Sequence, residues 1–417
     1  MKFGLEGISK LLGTLDNPHR KFTTIHVAGT NGKGSTASML AAIFTAAGYK
    51  TGLYTSPHLV SFTERIRIDG REISRRDVAR HMDAIRHHVA KQQPTFFEAT
   101  TAIGFAHFAE KKVAIAIIEA GLGGRLDSTN VVKPLVAVIT NIGLEHREFL
   151  GETVEEIARE KAGIIKNRVP CVTGVSQPGA LAVIKAVCAK RNARLILASR
   201  FRASIRKRSL SHTIADLKIR GTPYDGLRLS LPGSYQLKNA ALAIATIQEV
   251  NRSGRFAIAE PLIRSGLRRV QELTGLNGRL SLVRRSPLVI LDVAHNADGT
   301  KQLAASLRDL GLGDLILVFG VMKDKDCRAM ARALEPLASE VIAVAARVER
   351  SRSAGDVAAA FKMPPGRVTA GLSVREGVRS ALQRSRQKTP ILITGSHYVA
   401  GEALEFLAEK KSLTITE

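Results

Sequence analysis

The segment HVAGTNGKGST at positions 26–36 constrains this chain more than any other. An apolar run leads into three glycines within six residues, a lysine follows, and hydroxyl residues open a helical pattern. Glycine tolerates positive φ and lets backbone N–H groups approach an anion, while a helix N-terminus presents the positive end of its dipole. A strand, loop and helix of this kind belong to an α/β layer fold and bind phosphate, with Asn31, Gly32, Lys33, Gly34, Ser35 and Thr36 as candidate contacts. The strict P-loop places glycine five residues before the Gly-Lys pair and Ser or Thr directly after it. Val27 and Gly34 occupy those places, so this loop is a variant whose hydroxyls are displaced to Ser35 and Thr36. A glycine-rich turn with no ligand is the plainer alternative; the lysine and the two hydroxyls argue against it.

The flanking pattern fits the same layer fold. Short apolar runs at 23–27, 51–54, 113–119 and 135–139 read as strands, and three-to-four spacing at 35–47, 76–89 and 154–164 reads as helix. The texture changes at about 195–231 to short alternating segments such as LRLSL, expected to be antiparallel strands on the edge of the first domain. A second alternating series has strands expected at 288–292, 315–319, 341–345 and 390–394. At 417 residues the chain exceeds one ordinary core. The turn-rich GLNG at 275–278 divides it into 1–277 and 278–417. The first part is expected to be a mostly parallel P-loop-type sheet with a small antiparallel edge, the second a smaller Rossmann-like α/β domain.

Composition excludes several classes. The 45% hydrophobic and 24% charged content suits a globular protein, no apolar run is long enough to span a membrane, and the first ten residues lack a secretory pattern. A cytoplasmic protein without a membrane partner is expected. Cys171, Cys188 and Cys327 are widely spaced and odd in number, which suggests neither disulfides nor a zinc site. The formal charge of +25 would suit a polyanion. Yet RFRASIRKR at 200–208 carries one aromatic and the chain has no Trp and five Tyr, so stacking platforms for single strands are scarce. A solvated basic face is favoured over an obligate nucleic-acid groove.

GTNGKGST is followed by TSPHL (55–59), ERIRIDG (64–70), TFFEATTA (95–102), EAGLGGRLDSTN (119–130), TNIGLEH (140–146) and EKAGIIK (160–166). LPGSYQLKNAA (231–241), NGR (277–279), DVAHNADG (292–299), DKD (324–326) and GSHY (395–398) complete the series. No one of these motifs is decisive, but as an ordered set the chain resembles the folylpolyglutamate synthase and dihydrofolate synthase family of the Mur ligase superfamily. The resemblance implies an ATP-dependent amide ligase that joins L-glutamate to dihydropteroate, to folate, or to both through an acyl phosphate. Bringing two anions together costs about 4 kcal/mol per pair of unit charges at 4 Å and an effective dielectric of 20, so cations must offset the repulsion.

The resemblance assigns those cations and their ligands. It implies two magnesium ions per site held by Ser56, Glu119, His146 and Lys161, with Lys161 carbamylated, and a monovalent cation besides. It places Asn239, Arg279 and Asp292 on ATP, makes Lys33, Lys161 and His295 catalytic, and sets Asn296 beside the reaction. Arg352 and Ser396 are candidates for the carboxylates of glutamate, and Thr95, Phe96, Phe97 and Glu98 for the pterin side. Glu119 also stands out unaided, because a carboxylate that ends an apolar strand lies where open α/β sheets bind ligands. Glu145, Tyr235, Asn277 and Ala297 depart from the usual pattern, Glu145 standing where Asp is common. A monomer is expected. Two alternatives remain: a peptidoglycan-precursor Mur ligase, whose additional UDP-binding domain does not fit the 28 residues before Gly29, and a basic P-loop ATPase acting on nucleic acid.

Overall fold

Parallel strands covered by helices on both faces must be apolar throughout rather than alternately, and the first half of the chain folds accordingly. The structure, a computed structural model, describes residues 4–371, 373–385 and 388–413. Its first sheet contains β1 (Thr23–Ala28), β2 (Thr51–Tyr54), β3 (Ile66–Ile68), β4 (Arg71–Glu72), β5 (Ile115–Glu119), β6 (Val136–Ile139), β7 (Cys171–Thr173) and β8 (Leu195–Leu197). The order is β4-β3-β2-β5-β1-β6-β7-β8. β1, β2, β5 and β6 are buried along their whole length. β3 and β4 turn back antiparallel at one edge; the other six strands run parallel.

The helix Lys33–Ala46 follows β1 and is apolar almost all round, because it is enclosed by the sheet and by the helices Gln236–Arg252 and Glu260–Arg268. It begins at Lys33, two residues before the expected start, since Gly32 adopts the left-handed conformation directly before it.

The antiparallel segment begins later than expected. β8 belongs to the parallel sheet, so the change of texture falls after it. β9 (Arg202–Arg208), β10 (Thr213–Ile219) and β11 (Thr222–Leu229) are the expected antiparallel strands and form a three-stranded sheet of their own. The alternation in β10 explains this: Ala215, Leu217 and Ile219 point into the core shared with the helix Gln236–Arg252, while the other face stays accessible.

The second half builds one sheet from β12 (Ser281–Arg285), β13 (Leu288–Leu291), β14 (Leu315–Phe319), β15 (Ala338–Ala343), β16 (Val368–Ala370) and β17 (Ile391–Thr394). The order is β12-β13-β17-β14-β15-β16, with only β12 antiparallel to its neighbour. Helices pack on both faces around two apolar clusters. The division at 277/278 falls between the helix Val270–Thr274 and β12. Among the described residues, no helix is long and apolar enough to cross a membrane.

Candidate active site

The C-terminal ends of β1, β5, β6 and β13 open on one cavity of about 1070 Å³ between the two sheets. The phosphate loop forms its floor. Gly29 and Gly32 have φ of +151° and +81°, and a side chain at Gly32 would come within 2.5 Å of Asn239. Only glycine fits both the conformation and the close approach. The loop after β6 braces this floor: Asn141 accepts from the Asn31 N–H at 2.7 Å, and Thr140 donates to the Asn31 carbonyl at 2.6 Å.

Lys33 curls over the loop, its Nζ 3.0 Å from the carbonyls of Gly29 and Thr30. Lys161 reaches the same Gly29 carbonyl from the helix Val154–Ala162, at 2.9 Å. Burial and, second, the Lys33 charge push the Lys161 amine down to about 7. Asn31, Gly32, Gly34 and Ser35 line the cavity. Thr36 does not: it is fully buried behind the loop, and its hydroxyl has no hydrogen-bond partner. The expected contact from Thr36 to phosphate is therefore not in reach of the cavity wall.

Glu119 ends β5 inside the cavity, 4% exposed. One carboxylate oxygen accepts from the Ser56 N–H at 3.2 Å. Burial raises its pKa against the opposing pull of Lys33. A buried carboxylate with so few donors is a natural cation ligand, and the Ser56 hydroxyl and Glu119 carboxylate are the hard oxygens magnesium prefers. His146 faces the same space, and burial pushes its imidazole down to about 4, leaving the ring neutral and able to coordinate. Among the described residues no group of three or more His, Cys, Asp and Glu converges tightly enough to hold a metal alone. Lys161 cannot serve as a ligand while it is an ammonium.

From the second half, Asp292 directly follows β13 and accepts from the Leu280 N–H at 2.9 Å and the Ala294 N–H at 2.8 Å. It thereby holds the turn that carries Arg279. The guanidinium of Arg279 approaches the point where a side chain on Gly34 would lie, at 3.7 Å, close to Glu119. Asn239 lines the cavity beside Gly32 and donates to Gln236 at 2.8 Å. His295 lies opposite the phosphate loop, its Nε2 3.2 Å from Glu145. Asn296 is hydrogen-bonded to Asn31 across the cleft at 2.9 Å.

Two of the expected substrate contacts do not reach the cavity. Arg352 points away from it, its guanidinium donating to the carbonyls of Lys323 at 2.8 Å and Lys325 at 3.3 Å. Arg350 lines the wall in its place, stacked 5.0 Å over Tyr398. Glu98 is buried and turned back on Thr95, accepting from its N–H at 2.7 Å and its hydroxyl at 2.9 Å. These two residues form a capping box that starts the helix Phe96–Glu110, so Glu98 is spent on the helix end and is no polar anchor for substrate.

Ser396, Thr95, Phe96 and Phe97 do line the cavity. Phe97 packs on Gly121, while Phe96 is 62% exposed at the mouth with Arg65 stacked 5.4 Å over it. Sequence reasoning missed Arg65, Arg350 and Lys325. The sequence signals for Lys325 and Arg65 are the DKD and ERIRIDG motifs, neither of which carried a role for them; nothing local marks Arg350.

Comparison with known proteins agrees with this geometry. The model of the Mur ligase middle domain matches residues 27–247, and that of the Mur ligase glutamate ligase domain matches 278–397. A dihydrofolate synthase/folylpolyglutamate synthase of Bacillus subtilis (strain 168) is 39% identical over 350 residues, 82% of this chain and 80% of that protein. Mycobacterium tuberculosis folylpolyglutamate synthase complexed with ADP superposes with a TM-score of 0.89 at 32% identity, covering 97% of this chain and 94% of that one. Escherichia coli FolC in complex with DHPP and ADP gives a TM-score of 0.88 at 29% identity, covering 99% and 94%. Sequence motifs, cavity and comparisons converge: the chain belongs to the folylpolyglutamate synthase/dihydrofolate synthase family of the Mur ligase superfamily and is an ATP-dependent ligase.

Proposed function

We propose that the chain joins L-glutamate both to dihydropteroate and to reduced folates, acting as a monomer in the cytoplasm. The observation that carries this reading is the continuity of the cavity. It runs from the aromatic mouth at Phe96, past Glu119 and Lys33, to His295 and Ser396 on the second half of the molecule. A flat aromatic acid, a triphosphate and an amino acid can be held end to end along such a path.

The acceptor carboxylate attacks the γ-phosphorus of ATP, ADP leaves, and the amine of glutamate displaces phosphate from the acyl phosphate. Lys33 lies on the phosphate floor and offsets charge during the first step. Magnesium, when bound by Ser56, Glu119 and His146, supplies further charge neutralisation and orients the phosphoryl oxygens. Arg279 and Asn239 flank the floor and orient the nucleotide, while Asp292 holds the turn of Arg279 in place. His295 faces the cavity from the second half, where the amine must lose a proton, and Ser396 and Arg350 offer a hydroxyl and a cation to the carboxylates of glutamate. Closing the two halves excludes water, which would otherwise hydrolyse the acyl phosphate.

Lys161 is the reading's most specific element. A neutral amine adds to carbon dioxide and loses a proton to give a carbamate, and the depressed pKa of Lys161 supplies that neutral amine near pH 7. The carbamate would complete the metal ligands beside His146. Carbon-13 bicarbonate should give a carbamate resonance in the wild-type protein and none in Lys161→Ala. Full activity of Lys161→Ala at low magnesium, with no bicarbonate dependence in the parent, contradicts the assignment.

Mass spectrometry of products decides the substrate range. Dihydropteroate and tetrahydrofolate, each incubated with ATP and glutamate, should both gain glutamyl units. Extension of only one would reduce the protein to a single activity, and extension of neither would refute the reading.

A further inference from the structure

Glu145 bridges the two halves of the molecule through one carboxylate oxygen. It lies in the loop after β6, yet its Oε1 is 3.2 Å from Nε2 of His295 and 3.3 Å from Nζ of Lys325, both on loops of the second sheet. Glu145 and Lys325 have side chains only 8% and 10% exposed, so these contacts are shielded from solvent and little screened by salt. Nδ1 of His295 is 2.9 Å from the carbonyl of Val293, which leaves both ring nitrogens facing acceptors and fixes the plane of the ring. Arg352 in turn holds the carbonyls of Lys323 and Lys325, so the lysine is presented from a braced loop.

Glu145 is the carboxylate that meets this point from the first half; from the second half Asp324 also reaches Nζ of Lys325, at 3.0 Å. Without Glu145, His295 and Lys325 would lose their shared partner on the first half, and the shielded Lys325 would keep only Asp324 of its own half. Removing one partner from a shielded ion pair is costly and takes away the attraction that draws the two halves together. A second cross-cleft contact, the reciprocal amide pair of Asn31 and Asn296 at 2.9 and 3.4 Å, is neutral and cannot compensate. Glutamate at this position has the reach the contact needs; aspartate would end about 1.5 Å short.

We infer that Glu145 is a positioning residue, a latch that holds the second half of the molecule over the phosphate loop and sets His295 and Lys325 at the place where the amine arrives. The role in amine placement rests on the ligase reaction proposed above; the latch itself does not. Because the contact orders the amine side and not the nucleotide floor, its loss raises KM for glutamate far more than KM for ATP.

Two measurements on the full chain test this. In the first, dyes on Lys190→Cys and Lys362→Cys, one on each half, report their separation by energy transfer with a non-hydrolysable ATP analogue bound. Glu145→Gln and, independently from the other side, Lys325→Met should each lower the transfer efficiency. In the second, each should raise KM for L-glutamate roughly tenfold or more, with KM for ATP changed less than about threefold. The double variant should be no worse than the worse single, because both remove one contact. Glu145→Asp should fall between wild type and Glu145→Gln.

Wild-type transfer efficiency in both single variants, or glutamate KM effects that multiply in the double variant, overturns the latch. If the wild type extends neither acceptor while the energy transfer still depends on Glu145, the reaction is wrong and the latch stands.

Discussion

Single residues carry the chemistry of this site, and their protonation states follow from burial. His26 is fully buried in β1, with Nε2 2.8 Å from the hydroxyl of Thr129, which in turn donates to Asp127. The relay requires the Nε2–H form, and Nδ1 has no partner. Burial pushes the ring down to about 3 from 6.5. Between those values the unfolded chain binds a proton that the folded one refuses, so stability is full above pH 6.5 and falls as the pH drops toward 3. Thermal melts from pH 7.5 to 4.5 should show a declining midpoint, and His26→Gln should flatten part of that decline. A pH-independent wild type contradicts the account. The role proposed for Lys33 is on the substrate instead, so Lys33→Met should lower kcat for ADP formation by about a hundredfold or more with little change in melting temperature.

At the scale of elements, one helix start separates a structural role from a functional one. Glu98 caps the helix Phe96–Glu110 and lies against Gly7 of the helix Glu6–Thr14. Glu98→Ala should therefore cost about 1 kcal/mol or more of stability while leaving KM for the acceptor within about twofold. A large KM change at unchanged stability would restore the expected contact with substrate. The sequence could not make this distinction, because T-x-x-E reads alike as a cap and as a ligand motif. Strands were legible wherever burial on both faces made the run continuous: 51–54 and 315–319 match the structure residue for residue. The separate sheet of β9, β10 and β11 was not legible, since alternation reports which face is buried and not what it is buried against. Arg352 was misplaced for a related reason. Arg350 and Arg352 are neighbours in one polar run, and only the path of the backbone decides which guanidinium enters the cavity.

At the scale of the whole molecule, the site exists only because two sheets meet. Glu119, Ser56 and His146 come from the first half, and Asp292, His295 and Ser396 from the second. Ordered motifs singled out these cavity residues, but no motif spacing encodes that Glu145 reaches His295 and Lys325 across the cleft. The formal charge of +25 is also better understood at this scale. Eight Lys or Arg and seven Asp or Glu line the cavity, so the excess lies on the outer surface and not at the reaction centre. A near-balanced cavity suits a site that must alternately hold anions and release them, and it gives nucleic acid no privileged access to the ATPase centre.

In the proposed reaction, cleavage of ATP is tied to amide formation. ADP release, followed while each component is omitted in turn, reads that coupling. ADP should appear only when a pteroate or folate acceptor and L-glutamate are both present, one ADP for each glutamyl unit added, with no stimulation by DNA or RNA. ADP release driven by nucleic acid, in the absence of acceptor and glutamate, would contradict it.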